Sequence, residues 1–294
     1  MPENRRIARL IKSQPTLEGA GVHLKRVFGF GNTELFDPFL LLDDFRSDNP
    51  THYLKGFPWH PHRGIETITY MIDGQVEHGD SLGNSGIIFS GDVQWMTAGS
   101  GIVHQEMPRG DKNGRMGGFQ LWANLPASDK MTQPRYRDIT REQIPQVVLD
   151  NGTTIRILCG KAYGKQGPVE DIFIDPSYLD VQVPAGQVFV HPTQPGHTVF
   201  AYIIDGQGFF GPDAMKSAAQ EDADTADMLS HETLVLFADG EQAAVSTRQD
   251  ALRFLLISGM PIREPVAWQG PIVMNTQEEL RIAFEEYEAG TFIK

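Results

Sequence analysis

Thr67-Ile68-Thr69-Tyr70-Met71-Ile72-Asp73-Gly74-Gln75 is a run of β-branched and aromatic residues closed by an Asp-Gly turn. The same signal returns in the second half of the chain. With Gly64 placed on Gly196, Tyr70-Met71-Ile72-Asp73-Gly74-Gln75 falls on Tyr202-Ile203-Ile204-Asp205-Gly206-Gln207, and only Met71/Ile203 differs. Solenoid repeats have periods of about 20–50 residues, so a repeat at this distance marks a duplicated domain.

Around the first copy, short strand-like runs follow one another. Val76-Glu77-His78 ends at Gly79, Ile87-Ile88-Phe89 before Gly91, Val93-Gln94-Trp95-Met96 before Gly99, and Ile102 to Met107 at Pro108. Phe119-Gln120-Leu121-Trp122 follows Gly117-Gly118. Strands at this spacing predict an all-β chain of antiparallel sandwiches or barrels. The boundary between the copies is expected within Asp138–Asp150, where Gln143-Ile144-Pro145-Gln146 reads as a crossing segment. The division expected is 1–137, 138–265 and a C-terminal segment 266–294. Ala214–Asp227, acidic and Ala-rich, has no counterpart in the first half and reads as a surface insertion. Thr276-Gln277-Glu278-Glu279 is a capping box. It predicts a helix with Leu280, Ala283, Phe284 and Tyr287 on one face, ended near Gly290 and packed on a barrel.

Composition narrows the function classes. The chain has 294 residues, 40% of them hydrophobic, enough for packed cores. A net charge of −13 repels phosphate backbones and argues against direct nucleic-acid binding. No run of 18 apolar residues is present, so no membrane span is expected. Met1 to Arg6 leads into no apolar signal region. Cys159 is the single cysteine, which suits a reducing compartment, and the expected location is cytoplasmic.

The chemistry concentrates in two short pieces, His60-Pro61-His62 and His104-Gln105-Glu106. Residues i and i+2 of a strand share a face, so each pair can aim at one point. Inward-facing polar groups are costly in a small barrel unless satisfied, and one metal ion satisfies all four. Three imidazoles and a carboxylate suit a divalent transition metal. With no thiolate nearby, a cysteine-type structural zinc site is excluded. In the second half His60 maps to Pro192, His62 to Gln194 and His104 near Ala244, so one metal per chain is expected. His191 and His197 are expected at the surface.

These residues resemble the pirin family of cupins. The similar segments are Asp37 to Phe45, His60-Pro61-His62-Arg63-Gly64-Ile65-Glu66-Thr67, Gly91 to Gly99 with Gly101 to Pro108, and Gly270 to Thr276. The resemblance implies two tandem cupin, jelly-roll-like β-barrels. It implies one metal in the N-terminal barrel on His60, His62, His104 and Glu106. Fe(II) is the leading candidate, with Mn, Ni, Co, Cu and Zn as alternatives. In the general cupin pattern the carboxylate comes from the first motif, where Glu66 stands in a comparable place. In pirins it comes from the position of Glu106, which also shares parity with His104. Glu106 is therefore taken as the ligand and Glu66 as a supporting group.

The resemblance further implies quercetin 2,3-dioxygenase activity on a small aromatic, flavonol-like substrate, for which Glu106 or a metal-bound hydroxide is the expected proton acceptor. Trp59, Trp95, Phe119 and Trp122 are candidates for a flat apolar pocket, at least two of them expected to be ordinary core. The alternative it implies is a redox-sensitive regulatory protein that acts through protein partners. Arg5-Arg6 and Lys25-Arg26 are too short for a basic nuclear-import cluster. A third reading, another cupin activity such as isomerisation, has no sugar- or acid-binding signature behind it.

Overall fold

A computed structural model describes residues 2–212, 214–215 and 228–294. Of the expected surface insertion at 214–227, everything from 216 onward lies outside the described residues. Strand makes up 52% of the structure and helix 8%, an all-β chain. Among the described residues no helix is long and apolar enough to cross a membrane.

The chain divides into two compact units, one of residues 1–13 with 144–261 and one of 14–143 with 262–294. Residues 1–13, expected with the first barrel, contribute strand Ile7–Lys12 to the second. That strand pairs antiparallel with Thr233–Phe237. The C-terminal segment belongs to the first barrel.

In the unit that carries the histidine pairs, a seven-stranded sheet runs in the order Arg135–Ile139, Val93–Thr97, Ile65–Asp73, Gly117–Asn124, Phe39–Asp44, Val22–Phe28, Gln14–Glu18. A four-stranded sheet runs Phe57–His62, Ile102–Arg109, Gln75–Asp80, Ser85–Phe89. Thr67–Asp73 lies in the third strand of the larger sheet, with Tyr70 between Val93 and Phe119. Its copy holds the same place in the other unit, with Tyr202 between Leu234 and Leu255. The turn glycines Gly74 and Gly206 both sit at φ +77°, a left-handed conformation in which a Cβ is strained.

The interior of the second barrel is apolar, with Leu179, Val181, Phe189, Ile203, Val235 and Phe254 packed together. Ala244, near which His104 was expected to fall, pairs with Val190, while Pro192, in the place of His60, pairs with Gln242. By pairing, the counterpart of His104 is therefore Gln242, two residues before Ala244. His191, expected at the surface, is buried and stacks on Phe189 at 6.0 Å. His197 is partly exposed.

The helix Gln277–Glu288 carries the expected cap. Glu279 N donates to Thr276 Oγ1 at 3.2 Å, and Thr276 N donates to Glu279 Oε2 at 2.9 Å. Leu280 and Ala283 are buried against Ile272, Met274 and Phe292.

Candidate metal centre

Strands Phe57–His62 and Ile102–Arg109 pair antiparallel, with His104 opposite His60 and Ile102 opposite His62. Strand parity turns His60, His62 and His104 to the same side, and their ligand atoms all lie within 4.8 Å of one another. A register shift falls between His104 and Glu106.

The hydrogen bonds of the rings test whether a cation fits. His60 Nδ1 is 2.8 Å from the Pro58 carbonyl oxygen, and His62 Nδ1 is 3.1 Å from that of Pro271. A carbonyl oxygen only accepts, so each Nδ1 carries the proton and each Nε2 presents a lone pair. Yet His60 Nε2 lies 3.0 Å from His62 Nε2 and 3.0 Å from His104 Nε2. No neutral tautomer satisfies the His60–His62 contact without abandoning a carbonyl. Protonating a ring is opposed by burial and by the neighbouring rings, which hold His62 and His104 well below the usual histidine range. Burial also lowers His60. A cation among the three Nε2 atoms removes the conflict. Two nitrogens bound to one ion at about 2.1 Å and at right angles stand about 3.0 Å apart, which matches both contacts. The donor set fits a transition metal.

His60 and His62 open onto a cavity of about 790 Å3, within the usual size of a small-molecule site. His60, His62 and Glu106 line it. Glu106 is half-buried there, and that burial pushes its carboxyl up to about 7 against the opposing hydrogen bond with Thr69. Glu66 has the opposite strand parity to the cavity-lining Thr69. It is buried, and Thr97 Oγ1 donates to its Oε1 at 2.6 Å. Of the four aromatics named from sequence, Trp59 and Trp122 line the cavity, while Trp95 and Phe119 are fully buried core.

Sequence reasoning missed the wall built by the C-terminal hairpin, strands Ala267–Gln269 and Ile272–Met274. Trp268 faces Trp122 at 5.9 Å, and Trp122 meets the His62 ring edge-on at 5.1 Å. Pro271 supplies the carbonyl that orients His62. Gly270-Pro271 stood among the family-like segments, but nothing in its composition points at residues some 200 positions earlier.

Comparison with known proteins agrees with this architecture. The pirin family model matches residues 21–123, and that of the pirin C-terminal cupin domain matches 178–293. The chain belongs to the pirin family. A pirin-like protein of Caulobacter vibrioides is 43% identical over 98% of this chain and 99% of its own length. Pirin of Homo sapiens is 37% identical over 98% of this chain and 93% of its own. The crystal structure of a quercetin 2,3-dioxygenase from Acinetobacter baumannii superposes with a TM-score of 0.85 at 28% identity, covering 98% of both chains.

Proposed function

We propose that this pirin-family chain is a metal-dependent dioxygenase that opens the central ring of a flavonol such as quercetin. The observation that carries the reading is the cavity itself. Trp122 and Trp268 flank a space that has three converging imidazole nitrogens and the Glu106 carboxyl in or beside its wall. Similarity to the Acinetobacter baumannii quercetin 2,3-dioxygenase supports it.

His60, His62 and His104 would hold the ion, with Glu106 as the fourth donor. Imidazole plus carboxylate places Fe(II) first among the candidates. The bound ion would supply Lewis acidity for ionising the 3-hydroxyl and a centre for dioxygen chemistry. The overall reaction consumes one dioxygen and expels one ring carbon as carbon monoxide. The chain's own part is to bind, orient and deprotonate. The indoles of Trp122 and Trp268 give a flat ligand apolar walls. Glu106, ionised beside the ion, would take the 3-hydroxyl proton.

The test is to strip the protein, reload it without oxygen using Fe, Mn, Ni, Co or Cu in turn, and then add quercetin and air. Ring-cleaved product with carbon monoxide release is expected for at least one ion. No product with any of the five overturns the reading.

A further inference from the structure

One transverse row of the seven-stranded sheet is polar on its inner face. Arg26 pairs with Asp43, Asp43 with Gln120, Gln120 with Thr69, Thr69 with Gln94, and Gln94 with Asp138. The neighbouring inner rows hold Leu41 and Trp122 on one side and Phe45 on the other. A polar row between apolar rows needs a reason at each position. The middle has one: Thr69 donates to Gln120 Oε1 at 2.7 Å and also hydrogen-bonds Glu106. The Gln94 end has another, since its amide donates to Asp138 Oδ1 at 2.9 Å and contacts His78.

The Arg26–Asp43 end has no such link to the metal centre. Both residues line the same cavity. Asp43 is only 5% exposed, and its oxygens accept from Arg26 Nε at 2.9 Å and Nη2 at 2.8 Å. Arg26 Nη1 meets Glu18 at 2.9 Å. Burial pushes the Asp43 carboxyl up to about 6 despite the guanidinium beside it. A buried ion pair is weak evidence for stability, because apolar replacements of similar volume are often as stable. Each Asp43 oxygen takes one bond from Arg26, which leaves acceptor capacity on a carboxylate that offers about four sites. One cation against the two carboxylates of Asp43 and Glu18 makes this end acceptor-rich, so it selects hydrogen-bond donors over anionic groups. Thr69, which touches Glu106, and Asp43 are two strand positions apart, about 10 Å. A flavonol held through its 3-hydroxyl at the histidines can span that distance with its remaining rings.

We propose that Asp43, held by Arg26, is a specificity-determining residue that accepts a hydrogen bond from a phenolic hydroxyl on the part of the ligand remote from the histidines. The inference rests on the flavonol reading above, and its test separates the two. Metal-loaded full-length protein is titrated without oxygen with quercetin and with 3-hydroxyflavone, which keeps the 3-hydroxyl and lacks the others. The wild type is expected to bind quercetin at least tenfold more tightly, as a hydrogen bond to a charged group implies. In the double variant Arg26→Leu with Asp43→Leu, which removes both charges of the buried pair and leaves only the partly exposed Glu18 without this partner, the preference falls to within about twofold and 3-hydroxyflavone affinity is retained. Should that variant fail to fold, Asp43→Asn, which keeps the shape, is expected to lose part of the preference. If the wild type binds neither compound, the flavonol reading fails. If it binds both equally, or if the folded variant keeps the full preference, the Asp43 assignment alone is overturned.

Discussion

The His62 ring donates through Nδ1 to the carbonyl oxygen of Pro271 at 3.1 Å, which fixes its Nε2 as a lone pair facing His60. The acceptor depends on a hairpin 209 residues further on, and Arg63 ties that hairpin down. Its backbone carbonyl accepts from Val273 N at 3.1 Å. Its guanidinium reaches Ser100 O at 2.7 Å, Glu286 at 2.7 Å and Phe292 O at 2.8 Å, and so holds the C-terminal tail whose Phe292 packs with Ile272 and Met274 of the hairpin. Replacing Arg63 with Met leaves every proposed ligand in place and loosens the support behind His62. Metal affinity is expected to fall about 10-fold or more, the usual cost of losing a group that orients a ligand. Competition with a chelator measures it, and unchanged affinity would show that the Arg63 side chain is no part of the support behind the ring.

Lys130 joins the same parts from within. Its buried Nζ donates to Gly64 O at 2.9 Å, Asn124 Oδ1 at 2.7 Å and Val273 O at 3.1 Å. Lys130→Met leaves three acceptors without their donor and is expected to destabilise the fold by about 3 kcal/mol in urea unfolding. Burial lowers the Lys130 amine to about 7 in the folded protein, from 10.5. Between those values the unfolded chain holds more protons, so this group makes stability rise with pH from about 7 to 10.5. The stability difference between wild type and Lys130→Met should widen across that window. A gap that is flat in pH would contradict the assignment.

With Glu106 as the proposed fourth donor, metal uptake is expected to depend on pH. Burial raises its carboxyl from 4.5 to about 7 in the metal-free protein. The folded state then holds the extra proton between those values, so this group lowers metal-free stability as pH rises from about 4.5 to 7. A carboxylate ligand must be ionised, so binding at pH 6 expels that proton. Calorimetry in buffers of different ionisation enthalpy should find about one more proton released by wild type than by Glu106→Gln at pH 6. The excess should vanish by about pH 8.5. Equal release at both pH values would remove Glu106 from the ligand set.

Much of this was legible in the sequence because it depends on local rules. The Asp-Gly turns and their repeat gave the duplicated β-barrel, and strand parity brought His60, His62 and His104 together. What was not legible depends on register and on distant chain. The two-residue slip that sets Val190, not Pro192, opposite Ala244 is a matter of pairing register, to which strand periodicity is blind. Trp268 and Pro271 reach the cavity through pairing of the C-terminal hairpin with the barrel. Arg26, Asp43, Gln120 and Thr69 look like scattered polar residues until strand pairing aligns them. His191 was misplaced because a Pro/Gly-rich neighbourhood suggests a surface loop, whereas the residue lies inside strand Val188–Pro192.

A single ion held by the three imidazoles underlies the proposed chemistry. Elemental analysis compares metal in wild-type protein and in His62→Ala, purified without chelators and reloaded side by side. About one transition-metal ion is expected per wild-type chain and close to none in folded His62→Ala. Retention of the metal by that variant, or a wild type that takes up none of the ions offered, would contradict that assignment.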